Sequence, residues 1–368
     1  MNYDLKILAD VQHPTRACLL NHTEYQDSNS KPFSRRLYEI GQTYNINIDQ
    51  VDNFCNFPVP PWICPKFNLD FSIHEGAKSE TAIEQLKAKS LQVIDKYSNT
   101  EHYYTDGSVS DGRTGVGVFH KTHHECIRVP DGVSIFTAEA YAILLAVRHG
   151  LTQNKNFTVF TDSFSCLTVI QSFSEHSIIT RILNSLYYSS LHITLCWIPS
   201  HIGVLGNEQA DRIAKRSLEL NVTNINIPKP DLMRILRNNI YQKWQIEFDS
   251  ITPYKVKSKI ELWETSFNNN RKIETTLARL RLNCTRVLHL IPHIEGTFPI
   301  YCNCDGSRLS LHHLFFNCSF YINEREELLN QLYNDKKNFD LKNILEDNKK
   351  YCKLVIDYLK NIGYLNKI

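Results

Sequence analysis

The chain has 368 residues, 42% of them hydrophobic, and carries 41 Lys and Arg against 39 Asp and Glu. This length predicts two or three domains, the apolar share excludes global disorder, and a net charge of only +2 excludes a strong overall field, so a nucleic-acid partner would need local basic patches or metal. The eleven cysteines form no dense framework, no stretch reaches the roughly 20 apolar residues of a membrane span, and Asp4, Lys6, Asp10, His13 and Arg16 interrupt the first twenty residues, so the expectation is a soluble, intracellular protein, in nucleus or cytoplasm, with reduced thiols.

Residues 1–96 show no complete domain pattern. A helix is expected over 33–44, with Arg35 and Arg36, and another over 79–90; Pro58, Pro60 and Pro61 break regular structure around Trp62 between them. Residues 97–220 have the clearest rhythm. Strands are predicted at 102–109, 115–120 and 125–129, with turns at Asp111-Gly112 and His123-His124. A helix over 136–151 offers Ala138, Ala142, Leu145 and Ala146 as a face for close packing on a sheet. A strand at 157–161, helices at 163–173 and 178–190, a strand at 192–198 and a helix at 207–220 follow, with Asn207 as the expected N-cap. Strands first, then alternating helix and strand, predict an α/β fold: a mixed five-stranded sheet flanked by helices.

Residues 221–300 are expected to be helical and basic. From Lys229 to Arg286 there are 12 Lys and Arg against 6 Asp and Glu, whereas Glu101 to Leu220 has 9 against 11. The basic stretch reads either as a surface gripping a nucleic-acid backbone or as an ordinary solvated helix face. Residues 301–325 hold Cys302, Cys304, His312, His313 and Cys318. Cys302, Cys304, His313 and Cys318 form a candidate Cys₃His zinc site, with His312 competing for the histidine position; the alternative is a buried Cys318 with solvated histidines. A last amphipathic helix over 341–359 dominates a helical tail, 326–368.

Four carboxylates stand out: Asp106 in Tyr-Tyr-Thr-Asp-Gly-Ser, Glu139 in Thr-Ala-Glu-Ala-Tyr-Ala, Asp162 in Phe-Thr-Asp-Ser-Phe-Ser and Asp211 in Gly-Asn-Glu-Gln-Ala-Asp. Carboxylates are hard ligands suited to Mg²⁺ and Mn²⁺, and two such ions roughly 4 Å apart can clamp a phosphodiester. Asp106 and Asp162 should converge at the carboxyl edge of neighbouring parallel strands. Glu139 and Asp211 should lie in the first turns of helices, where the dipole favours the anion. The loop before Asp211 carries His201, a residue able to move a proton near neutral pH, between Pro199-Ser200 and the glycines Gly203 and Gly206, which are expected to loosen the loop. Gly115-Val-Gly117 lacks a third glycine and sits within a strand, so no dinucleotide site is read there.

These strings, above all Pro-Ser-His-x-Gly-x-x-Gly-Asn-Glu-x-Ala-Asp ending at Asp211, resemble the type 1 ribonuclease H family across residues 97–220. The resemblance implies hydrolysis of the RNA strand of RNA·DNA hybrids by a two-metal mechanism. It implies Asp106, Glu139 and Asp162 as core Mg²⁺ (or Mn²⁺) ligands, Asp211 as a more mobile fourth and His201 as the auxiliary proton-transfer group. It also implies that Ser108 and Asn207 touch the hybrid backbone. The basic helix that some members insert after the third carboxylate is missing: only Arg181 is basic across 163–190. The stretches 355–365 and 279–286 and the Cys/His cluster are similar to the C-terminus of jockey-like non-LTR retrotransposon polyproteins. That likeness implies that residues 1–96 derive from the C-terminal or connection region of a reverse transcriptase, and that reverse transcriptase or element RNA is a partner. No Asp-Asp pair occurs anywhere, so no polymerase activity is expected. A reading from another class is a catalytically silent nucleic-acid-binding remnant.

Overall fold

A computed structural model describes residues 2–21, 32–44, 50–53, 67–75, 82–173, 176–251, 256–266, 270–285, 301–366 and 368. The prolines around Trp62 and the first residues of the helix expected from 79 lie outside the described residues. The chain divides into two units, Met1–Asn239 and Ile240–Ile368.

In the first unit, helices α1 (Asn2–Ala9), α2 (Arg16–Leu20) and α3 (Phe33–Thr43) precede strand β1 (Phe67–Asp70) and helices α4 (Ser72–Glu75) and α5 (Ile83–Lys96). Three strands follow, β2 (Glu101–Ser110), β3 (Arg113–Phe119) and β4 (His124–Val129). Then come α6 (Ile135–Thr152), β5 (Phe157–Thr161), α7 (Phe164–Gln171), α8 (Ser177–Tyr187), β6 (Ile193–Trp197) and α9 (Leu205–Ser217), before α10 (Lys229–Ile251) begins.

The sheet order is β1-β6-β5-β2-β3-β4. The pairs β1–β6, β6–β5 and β5–β2 are parallel, and β2–β3 and β3–β4 are antiparallel. The β2–β3 hairpin turns on Asp111 and Gly112, both at positive φ (50° and 76°), the backbone that a tight hairpin with right-handed strand twist requires. The second turn closes at His120–His123, with His124 already in β4. Among the described residues the sheet therefore has six strands where five were expected. β1 has only four residues, and its partner Ile193 is remote in sequence, so neither length nor alternation marks it locally.

Glycines set how closely the helices approach. A Cβ on Gly107 would stand 3.0 Å from both Ala138 Cβ and Glu139 N, and α6 covers that face of β2. On the other face α9 lies directly on β3. A Cβ on Gly117 would meet the Ala210 carbonyl at 2.4 Å, and one on Gly115 would meet Ser217 Oγ at 2.0 Å. The Gly115-Val-Gly117 pair thus serves backbone-to-backbone packing. Gly206 is likewise no loop hinge: it sits inside α9, where a Cβ would strike the Tyr104 ring at 2.3 Å.

Leu5, Leu8, Leu37 and Val51 share one core with Ile143, Val159, Ile227 and Leu236. Val51 bridges to Ile227, and the buried Asp52 pairs with Arg181. Asp231 at the start of α10 accepts from the Ser134 backbone N–H at 3.2 Å, just before α6.

The second unit holds α11 (Arg271–Arg281), α12 (Glu326–Asn334), α13 (Leu341–Leu345) and α14 (Lys349–Asn361) around Leu277, Leu280, Leu314, Phe315, Val355 and Leu359. The single helix expected over 341–359 is two. Asn348 caps α14 by accepting from the Lys350 and Tyr351 N–H groups, and the Asp347 carboxylate takes the N–H groups of Glu264 and Thr265. Those bonds draw the chain out of helical geometry between α13 and α14.

Candidate active site

The parallel register pairs Thr105 with Thr161, so Asp106 and Asp162 follow side by side where β5 ends; Asp162 lies at that carboxyl edge as expected, but Asp106 lies in mid-strand, because β2 runs on to Ser110 in its pairing with β3. Glu139 is the fifth residue of α6, whose N-terminus is capped by Ser134 accepting from Thr137 N–H. The close approach over Gly107 brings Glu139 to the same point. Ligand oxygens of Asp106, Glu139 and Asp162 lie within 4.8 Å of one another. Asp106 and Glu139 are each only 7% exposed.

Packing three carboxylates in a buried place has an electrostatic cost. Burial, reinforced by the charges of Asp162 and Asp211, pushes the Asp106 carboxyl up to about 8. Burial and the neighbouring Asp106 and Asp162 hold Glu139 well above the usual carboxylate range. Burial also raises Asp162, opposed by a hydrogen bond from Asn207. Like charges in low dielectric disfavour joint ionisation, and a divalent cation reverses that balance. One Glu139 oxygen, Oε2, is buried without a hydrogen-bond partner. The three acids therefore fit a hard cation in donor type, spacing and unmet bonding.

Around them opens a cleft of about 410 Å³ that also receives Ser108, His201, Asp211 and Lys215. Asp211, in the second turn of α9, is held by Lys215 one turn further along at 2.8 Å. His201 is exposed on the loop between β6 and α9, at φ 54°, a strained conformation for a non-glycine residue. Ser108 is partly exposed at the cleft wall. Asn207 does not cap α9; Val204 holds that position. Asn207 is 4% exposed and donates Nδ2–H to Asp162 Oδ2 at 3.2 Å, so its side chain fixes a carboxylate. Trp197 Nε1–H donates to the Asp162 carbonyl at 3.0 Å, anchoring the same residue from β6.

Lys215 was not singled out from the sequence, although its spacing of four from Asp211 on a helix is the signal that pairs them. Ser163, Ser165 and Ser200 also line the cleft, and nothing in their local pattern marks them.

In the second unit, the atoms of Cys302, Cys304, His313 and Cys318 also converge within 4.8 Å. His312 instead rests its ring on Phe316, 5.0 Å away. No helix among the described residues is long and apolar enough to cross a membrane.

Residues 98–219 match the family model for RNase H. The match begins just before β2 and ends just after α9, enclosing all four carboxylates and His201 and leaving out the short β1 strand. Over this stretch, about a third of its length, the chain carries a ribonuclease H domain.

Proposed function

We propose that the chain hydrolyses the RNA strand of RNA·DNA hybrids at this cleft by a two-metal mechanism. The observation that carries the reading is the convergence of Asp106, Glu139 and Asp162, with Asp211 and His201 opening into the same cleft. Divalent cations bound there would activate the attacking water and stabilise charge on the phosphate.

The chain's own residues divide the remaining tasks. Asp106, Glu139 and Asp162 would hold the cations, and Asp211 would join them as Lys215 gives way. Asn207 and Trp197 keep Asp162 in place from the side and from behind. His201, exposed at the mouth, would move a proton at the oxygen that water or the leaving strand presents. Ser108, which lines the cleft, would touch the substrate backbone, and selectivity for the RNA strand would rest on its 2′-hydroxyl. The jockey-like retrotransposon origin, the derivation of residues 1–96 from a reverse transcriptase and the partnership with that enzyme or element RNA belong to the same proposal.

The test uses purified full-length protein and strand-labelled duplexes. Mg²⁺ should support cutting of the RNA strand in a hybrid, EDTA should abolish it, and duplex DNA should be spared. Hybrid binding with no cleavage in Mg²⁺ or Mn²⁺ would favour the silent binding module instead.

A further inference from the structure

Three elements that precede the matched stretch, β1, α4 and α5, pack around β6 and the loop that follows it. β1 pairs with β6 over its whole length. Ile73 of α4 is buried and Leu86 of α5 half-buried, and both share a core with Ile198, Ile202, Val204 and Ala210. The first three of those partners belong to the stretch that carries His201, and Ala210 directly precedes Asp211. Lys87 of α5 lies across Gly203, where a Cβ would stand 3.0 Å from its Nζ. Asp70 at the end of β1 accepts from Lys96 Nζ at 3.2 Å and from the Tyr97 hydroxyl at 2.6 Å, which ties β1 to the end of α5.

Two site residues depend on these contacts. His74 of α4 stacks its ring on Phe164, with centroids 4.2 Å apart, and meets the edge of Trp197 at 5.4 Å. Phe71 meets Phe164 from β1's side at 5.4 Å. Phe164 lies two residues after Asp162, and Trp197 holds the Asp162 carbonyl. This ring cluster therefore backs a carboxylate of the cleft. His201 keeps a left-handed backbone at φ 54°. Such a conformation persists only where the surroundings over-determine it. Ile202 and Val204, buried in the core with α4 and α5, supply that constraint.

We propose that β1, α4 and α5 are a positioning element of the active site. In it, His74 sets Asp162 through Trp197 and Phe164, and Leu86 sets the His201 loop through Ile202 and Val204. The inference rests on the ribonuclease reading above. Both are positioning residues, acting through other side chains. Placement matters because metal ligands and proton carriers work only within a fraction of an ångström of their productive geometry. Residues 67–96 then belong to the catalytic unit by function, although they precede the matched stretch.

The test uses the full chain and has one readout that does not depend on cleavage. In hydrogen exchange, His74→Ala should speed peptides covering 160–166, and Leu86→Ala should speed those covering 200–206. β3 and β4, at the other edge of the sheet, should keep their wild-type rates. In hybrid cleavage both variants should lose kcat, by up to about a hundredfold, the scale for a misplacement of about 1 Å, with KM little changed. His74→Phe, which keeps a stacking ring, and Leu86→Met, which keeps the volume, should restore both readouts. If Leu86→Ala does not fold, the His74 pair carries the comparison. Wild-type exchange at both places would overturn the positioning role. Faster exchange across the whole sheet without rescue, or a raised KM at constant kcat, would overturn it too. A wild-type chain that cuts no hybrid would defeat the ribonuclease reading instead, and the exchange pattern would then decide by itself whether the element holds these residues.

Discussion

At the scale of single residues, the cleft is a place where negative charge is held against its own repulsion. Asp106 illustrates this: burial and its acidic neighbours push its carboxyl up to about 8, so the ionised form is unfavourable at neutral pH. Asp106→Asn removes that conflict. In EDTA at neutral pH its melting temperature should equal or exceed that of wild type, measured by calorimetry; a clear loss of stability would mean that Asp106 is a structural acid. His201 is exposed and lines the cleft outside the group of three converging acids. His201→Ala should therefore slow hybrid cleavage less than loss of Asp106 does, and leave Mn²⁺ binding unchanged in a calorimetric titration. A metal-binding defect in that variant would place the imidazole among the ligands. The four carboxylates were legible because each sits in a local string of recognisable chemistry. The role of Asn207 was not: its donation to Asp162 crosses 45 residues of sequence, and no local pattern encodes such a pair.

At the scale of elements, the sheet and its helices follow from alternation, helical periodicity and turn chemistry, and most expected boundaries fall within a few residues of the observed ones. What the sequence hid was close packing and long-range pairing. Gly115 and Gly117 look like a fragment of a phosphate loop, but they exist because α9 lies with its backbone on β3. Gly117→Val should force the helix away from the strand and shift Asp211. Overpacking of this kind costs about 1–3 kcal/mol, to be read by denaturant unfolding, with a loss of hybrid cleavage alongside. Wild-type stability would show that α9 can yield. β1 was invisible for the other reason, its dependence on β6. Burial alone would raise its Asp70 carboxyl, but hydrogen bonds from Ser72, Tyr97 and Lys96 win and bring it down to about 2, below the usual carboxylate range. A depressed carboxyl contributes stability above its unfolded value and loses it as pH falls through the folded one. Asp70→Asn should thus cost stability at pH 7, and the difference from wild type should shrink between about pH 4 and pH 2. An equal difference at both ends would show that the ion pair is not what Asp70 contributes.

At the scale of the whole chain, the boundary expected at 220 does not coincide with a break in packing. Ile227, Leu232 and Leu236 lie in the core that contains β5 and α6, and Asp231 bonds the residue before α6. The first unit runs to Asn239. The basic stretch expected to grip a hybrid is also partly engaged inside the fold. Arg234 bonds the Gly132 carbonyl, Arg279 the Ile368 carbonyl, and Arg281 the Leu345 carbonyl. Any grip would fall to the remaining Lys and Arg side chains. Removing residues from 240 onward should keep the first unit folded, weaken hybrid binding and flatten its salt dependence; the same affinity and slope in the shortened chain would make the basic stretch an ordinary solvated surface. Removing residues from 221 onward should destabilise the carboxylate site itself, because it strips part of the core.

The most direct measurement compares wild type with Asp162→Asn on one RNA·DNA hybrid, at equal enzyme and saturating Mg²⁺, with each strand labelled separately. Wild type should cut only the RNA strand, and the variant should be slower by at least about a hundredfold, the scale for losing a key electrostatic stabiliser, while still binding the hybrid. Equal rates in the two proteins, or cutting of the DNA strand by wild type, would contradict the assignment of this cleft as a hybrid-specific, metal-dependent ribonuclease site.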